Sequence, residues 1–116
     1  MKLIKLTKLV VGLFLACAAS VSLAADKAPV LDKNSCSKAE YPKAALMNEE
    51  SGVVSLSILV MADGSVTDSK VDKSSGSKTL DKAAIKIYTA CKYSPGIKDG
   101  KSEQAWAKVE HVWTLS

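Results

Sequence analysis

Residues 52–66 read Gly52-Val53-Val54-Ser55-Leu56-Ser57-Ile58-Leu59-Val60-Met61-Ala62-Asp63-Gly64-Ser65-Val66. Val54, Leu56, Ile58 and Val60 recur at every second position, and Val53, Ser55, Ser57, Leu59 and Met61 take the places between them. Successive side chains of a strand point to opposite faces, so a period of two predicts a strand with one face on a core. Asp63-Gly64 closes it with a hairpin signal, because a tight reversal favours Asp or Asn followed by Gly at positive φ. Ser65 to Lys73 is then the returning strand. Its apolar residues Val66 and Val71 fall on opposite parities, which predicts a bulge or a mostly solvated outer strand.

Upstream, Tyr41-Pro42 opens a short helix over Lys43-Ala44-Ala45-Leu46-Met47, all good helix formers. Pro at the first helical position loses no needed hydrogen bond, and Asn48 to Gly52 ends the helix. Downstream, Ser74-Ser75-Gly76-Ser77 reads as a loop, with Ser77 or Thr79 as the cap of a second helix. Leu80, Ala83, Ala84, Ile87, Tyr88 and Cys91 fall on one face of that helix. Asp81 in its first turn and Lys92 at its end both suit the helix dipole. Tyr93-Ser94-Pro95-Gly96 breaks it, and Asp99-Gly100 turns the chain again. A long final strand follows, with Ala105, Ala107, Val109, His111, Trp113 and Leu115 on one face and Trp106, Lys108, Glu110, Val112 and Thr114 on the other. Trp106 and Trp113 differ in parity, so one packs on the helices while the other covers the outer sheet face or marks a contact surface.

The first 24 residues read as an export segment. Lys2, Lys5 and Lys8 precede an apolar run from Leu9 to Leu23, and Ser22-Leu23-Ala24 places small residues before a cleavage between Ala24 and Ala25. An uncleaved anchor fits less well, since a span needs about 20 predominantly apolar residues. A lipoprotein signal ending at Cys17 has Phe14 where a smaller aliphatic residue is preferred. The expected organisation is residues 1–24 as signal, 25–37 as a flexible leader without periodicity, and 38–116 as one small domain. Without Lys2, Lys5 and Lys8 the chain carries 13 lysines against 12 acidic residues, a net charge of +1 in place of +4.

That balance, with no arginine and no basic stripe, excludes a nucleic-acid footprint. Export to the periplasm, an oxidising compartment, leaves Cys36 and Cys91 as the pair expected to form a structural disulfide. A redox-active pair needs thiols closer in sequence, and metal binding needs more ligands than two Cys and the lone His111 supply. No catalytic set is present. Asp63 belongs to its turn, His111 lacks a partner base or nucleophile in a recognisable motif, and no cofactor or small-molecule substrate is implied.

The order Tyr-Pro, short helix, Gly-x-Val strand, Asp-Gly turn, Val strand, Ser-Ser-Gly, Leu-Asp-x-Ala-Ala helix, aromatic-x-Pro and final strand resembles the C-terminal domain of the TonB family over about 75 residues. The resemblance implies an α+β fold, a small three-stranded antiparallel sheet with two helices packed on one face. It also implies binding of peptide-like segments of outer-membrane transporters from the periplasmic side. Some family members place paired Cys where Cys36 and Cys91 stand. Gly96, where Ala is common, and Glu103, at a usually aliphatic position, depart from the pattern. A full energy transducer of the family adds an anchor with a coupling His and a long Pro-rich spacer. The prolines here are Pro29, Pro42 and Pro95, and a leader extending at most about 3.5 Å per residue makes no such stalk.

The expected function is a periplasmic protein- or peptide-binding module, an accessory to outer-membrane transport without its own anchor. A membrane-anchored or lipidated transducer and a structural or inhibitory scaffold are the alternatives. Partner capture by strand addition, from another envelope protein or a second copy, is expected along the last strand at Trp106, Lys108, Val109, Glu110, His111, Val112 and Trp113.

Overall fold

A computed structural model of the protein describes residues 26–116. The elements are β1 (Val30–Asp32), a single 3-10 turn (Lys33–Ser35), α1 (Lys43–Met47), β2 (Gly52–Val60), β3 (Val66–Lys73), α2 (Lys78–Thr89), β4 (Lys92–Ser94), β5 (Gly96–Lys98), β6 (Lys101–Glu103) and β7 (Ala105–Trp113). The main sheet is antiparallel with the order β3-β2-β7. The period-two segment is thus the central strand. Its inner residues Val54, Leu56, Ile58 and Val60 pack with Leu80 and Ala84 of α2, Ala45 of α1, and Ala107 and Trp113 of β7. Burial of each large aliphatic side chain contributes about 1.5–3 kcal/mol, so this one layer dominates stability. The α+β class and the two-helix, three-strand arrangement are as the sequence leads one to expect.

The two Asp-Gly pairs make different turns. At Asp63-Gly64 the Gly64 amide donates to the Met61 carbonyl, the Met61 amide donates to the Ser65 carbonyl, and of the two only Gly64 has positive φ. This is a three-residue loop closed by a glycine bulge, wider than the two-residue reversal. Asp99 and Gly100 both have positive φ, at 53° and 79°, and close the two-residue hairpin between β5 and β6. Two register shifts interrupt the β2–β3 ladder, in keeping with the parity break between Val66 and Val71.

Four local expectations need correcting. Pro42 is the residue before the first helical position, with extended backbone, and α1 begins at Lys43. Cys91 lies beyond α2, which ends at Thr89. The segment Tyr93–Gly96 does not stop the helix, which has already ended; it contributes to the strands β4 and β5. Residues 27–35, expected to be a leader without structure, pair along the domain: β1 lies antiparallel to β4, and Lys27 exchanges backbone hydrogen bonds with Ile97. Strands three residues long carry too few positions to show a period. Gly96 belongs to this contact, because a Cβ there would sit 3.1 Å from Ala105 Cβ and 3.3 Å from the Lys27 carbonyl. The departure from Ala makes room for that strap.

Cys36 and Cys91 are bonded, with their Cα atoms 4.5 Å apart. The bridge ties the strap to the end of α2. In the chain-entropy picture, closing a loop of 55 residues contributes about 4 kcal/mol.

Candidate functional site: the outer edge of the last strand

β7 pairs with β2 through nine consecutive residues, from Gly52 opposite Trp113 to Val60 opposite Ala105, without a register shift. Its other edge carries no strand among the described residues. Which backbone groups face that edge follows from the hairpin. Met61 directs both its amide and its carbonyl at the β3 side. Alternation along an antiparallel strand then turns Val60, Ile58, Leu56, Val54 and Gly52 toward β7. Their opposites, Ala105, Ala107, Val109, His111 and Trp113, are bonded to β2, and the backbone groups of Trp106, Lys108, Glu110 and Val112 point outward.

Side chains divide the same way. Val109, His111 and Trp113 lie on the inner face, and Trp113 is only 3 % exposed. The Trp113 ring meets Tyr41 edge-on at 5.2 Å and His111 at 4.4 Å. Tyr88 Oη lies 2.9 Å from His111 Nδ1. Burial holds the imidazole below its ordinary pKa, so the ring is neutral at neutral pH, and its tautomer decides which partner of the Tyr88 hydrogen bond donates. Nearby Tyr93, whose hydroxyl donates to the Tyr88 carbonyl at 2.6 Å, is pushed up to about 12 by burial and by the Tyr88 phenol. His111 is therefore a packed member of an aromatic cluster beneath α2. Of the seven residues expected at the edge, the structure brings Trp106, Lys108, Glu110 and Val112 to it and turns the other three inward.

The outer face around these four is partly organised. Ser57 is fully buried on it and donates to the Asp72 carboxylate, while Lys108 Nζ reaches Ser57 Oγ at 2.9 Å and Asp72 at 3.2 Å. This bridge crosses all three strands. The Ser57 hydrogen bond, with Lys108, holds the Asp72 carboxyl below its usual range. Lys70 of β3 stands 4.7 Å from the Trp106 ring centroid. Val112 is 54 % exposed beside its β2 neighbour Val53. The bridge was not visible in sequence, because it depends on the pairing of three strands, with Ser57 opposite both Lys70 and Lys108 and Asp72 beside the β3 register shift.

Several motif residues prove to hold the scaffold. The Tyr41 hydroxyl donates to the Glu50 carbonyl, and the Glu50 carboxylate accepts from Ser77 Oγ at 2.7 Å. Ser77 Oγ in turn caps α2 by accepting the Leu80 amide. Asp81 is buried and accepts from the Ser74 hydroxyl and from the amide and hydroxyl of Ser75. Burial alone raises its pKa, but those three hydrogen bonds prevail and the net shift is downward.

Among the described residues, no three or more His, Cys, Asp or Glu side chains converge on a metal position, and no helix is long and apolar enough to cross a membrane. Ala24, Ala25 and the rest of the expected export segment lie outside the described residues.

A family model for the Gram-negative bacterial TonB protein C-terminal matches residues 37–115. The chain belongs to this family. Over 70 residues it is 37 % identical to protein tonB2 of Pseudomonas aeruginosa, covering 60 % of this chain and 26 % of that protein. Over 45 residues it is 51 % identical to protein TonB of Haemophilus influenzae, covering 39 % and 17 %. The chain thus spans about a quarter or less of the length of these relatives. The solution structure of the Helicobacter pylori TonB C-terminal domain superposes with a TM-score of 0.56 at 33 % identity, over 67 % of this chain and 70 % of that one. The Pseudomonas aeruginosa TonB C-terminal domain, at 20 % identity and the same TM-score over 69 % and 81 %, shares the fold.

Proposed function

We propose that this TonB C-terminal-type domain is a periplasmic binding module that captures an extended segment of another envelope protein, of the outer-membrane transporter kind, along β7. The observation that carries the reading is the contrast within one strand: a nine-residue ladder without a bulge on the β2 side, and four residues with outward backbone groups on the other. Strand addition draws its affinity from such backbone groups and its specificity from alternate side chains. The domain supplies the grip and no chemistry of its own. Pull-down from an envelope extract tests this with Glu110→Pro, which deletes one outward amide and spares the β2 ladder. Loss of a transporter-type partner with the fold intact is the expected result. Retention of every partner by a folded Glu110→Pro protein overturns the reading and moves attention to the surface around Tyr41-Pro42.

A second copy is the alternative occupant, favoured by a specific register. Antiparallel pairing of two β7 strands about Val109 sets Lys108 of one copy against Glu110 of the other, and Trp106 against Val112. Both ends of that two-fold contact are matched.

A further inference from the structure

We propose that Glu110 selects the segment that β7 takes up, and that this segment carries a lysine or arginine opposite Glu110 and an apolar residue opposite Val112. The proposal rests on the strand-addition reading above. β7 presents two charged side chains on its outer face, and only one has its charge answered. Lys108 is drawn back across the sheet to Ser57 and Asp72. Glu110 is exposed, and among the described residues its carboxylate has no ion pair and accepts no hydrogen bond. Its neighbour on β2 is Ser55, and the cation facing Ser55 from β3 is Lys73. Two strand spacings, roughly 10 Å, separate Lys73 from Glu110.

An incoming strand changes that geometry. Its residue directly opposite Glu110 brings its Cβ to about 4.5–5.5 Å, where opposite charges attract and like charges repel. Opposite Lys108 the demand is weaker, because Asp72 already answers the ammonium; an acidic or polar residue is accepted there and a basic one disfavoured. The ends are apolar, with Val112 beside Val53 at one and Trp106, 37 % exposed, at the other. The segment that fits therefore alternates apolar, basic, acidic or polar, and apolar across seven residues. Read from its N-terminus, the basic residue comes before the acidic one if the strand runs antiparallel to β7, and after it if parallel. The order of the two charges reports the direction.

Labelled nonapeptides in both charge orders, and a third with Gln in place of the basic residue, are titrated against the disulfide-bonded protein by fluorescence anisotropy. One charged order should bind about two- to five-fold tighter than the Gln peptide. That gain should vanish in Glu110→Gln, fade at about 0.5 M salt, and reverse in Glu110→Lys toward a peptide with Glu at the basic position. If the Gln peptide binds as well as both charged ones, and Glu110→Pro abolishes binding, the edge reading stands and selection by Glu110 is wrong. If no peptide binds, or Glu110→Pro leaves binding intact, the edge reading falls and takes this proposal with it. A dimer that peptide dissociates supports the proposal; a dimer that no peptide displaces overturns it, since the edge is then filled by a second copy.

Discussion

β3 and β7 flank the same central strand and present edges of similar length, yet they are built to opposite ends. β3 holds four charged residues, Asp68, Lys70, Asp72 and Lys73, in eight positions, and its ladder to β2 is broken by two register shifts. Bulges and charges are how a sheet discourages a further strand from adding to its edge. β7 has two charged residues in nine positions and an unbroken ladder. It lacks the protection that β3 has. Among the described residues one edge is guarded and the other left open, as the proposed capture by strand addition requires if it is to occur on one side only.

The largest expected effect lies away from both edges and serves as their control. Replacing Cys36 and Cys91 together by Ser frees the strap and should lower stability by about 4 kcal/mol in the chain-entropy picture. Chemical denaturation under oxidising conditions measures it. The fraction that remains folded should capture its partner as before, because neither edge touches the bridge. Loss of capture by folded protein would mean that the strap, and not the open edge, governs binding.

Next is the pair that separates the two sides of β7. Val109→Pro removes an amide bonded to β2 and should cost about 3 kcal/mol, whereas Glu110→Pro should cost well under half of that. Equal costs in urea titrations would mean that the alternation from Met61 is misassigned and that the outward amides belong to the other parity.

Much of this fold was readable from residues alone, and the limits have physical causes. The alternation of Val54 to Val60 marked the central strand, because its inner face is continuous apolar core. Val66 and Val71 betrayed the bulges that guard β3. The cysteine pair followed from the expected export segment and from elimination of the other readings. β1, β4, β5 and β6 were not legible, since three-residue strands are held by their neighbours and not by a pattern. The length of the final strand suggested an edge there, but parity alone did not say whether Val109 or Glu110 faces outward; that depends on which hydrogen bonds the 61–65 turn makes. Asp81 looked like a helix-dipole residue and is in fact the buried acceptor for Ser74 and Ser75, a contact between residues whose approach only the folded loop creates. The motif that reveals the family is mostly scaffold, and its final strand enters by position without naming any of the four edge residues.

Asp81 fixes the loop that leaves β3, and its loss should loosen the guarded edge at one end. Asp81→Asn should cost about 2 kcal/mol by weakening hydrogen bonds to a charged acceptor. The pH dependence has a definite sign. The folded carboxyl titrates below its ordinary value of 3.8, so the stability it contributes is complete above that value and is lost as pH falls through the lower folded one. The wild type should therefore lose more stability below about pH 4 than the Asn variant does. Parallel acid-denaturation curves for the two would show that Asp81 is not the acceptor described.

The smallest effect tests whether the two edges communicate across the outer face. Lys70 belongs to the guarded edge and Trp106 to the open one, and they meet over β2 with the ammonium 4.7 Å from the ring centroid. A cation–π contact at an exposed site is worth about 0.5–1 kcal/mol, and it spans from β3 to Trp106, whose partner on β2 is Leu59. Lys70→Gln and Trp106→Leu should each cost little. Their double-mutant cycle should show a coupling of about 0.5 kcal/mol, close to the smallest that such cycles resolve. Acrylamide quenching adds a second readout, since Trp113 is buried and the accessible fluorescence comes from Trp106. Freed from Lys70, the indole should quench more readily, while an added strand on β7 should protect it. A coupling near zero, with quenching unchanged in Lys70→Gln, would mean that the guarded edge contributes nothing to how Trp106 meets a partner.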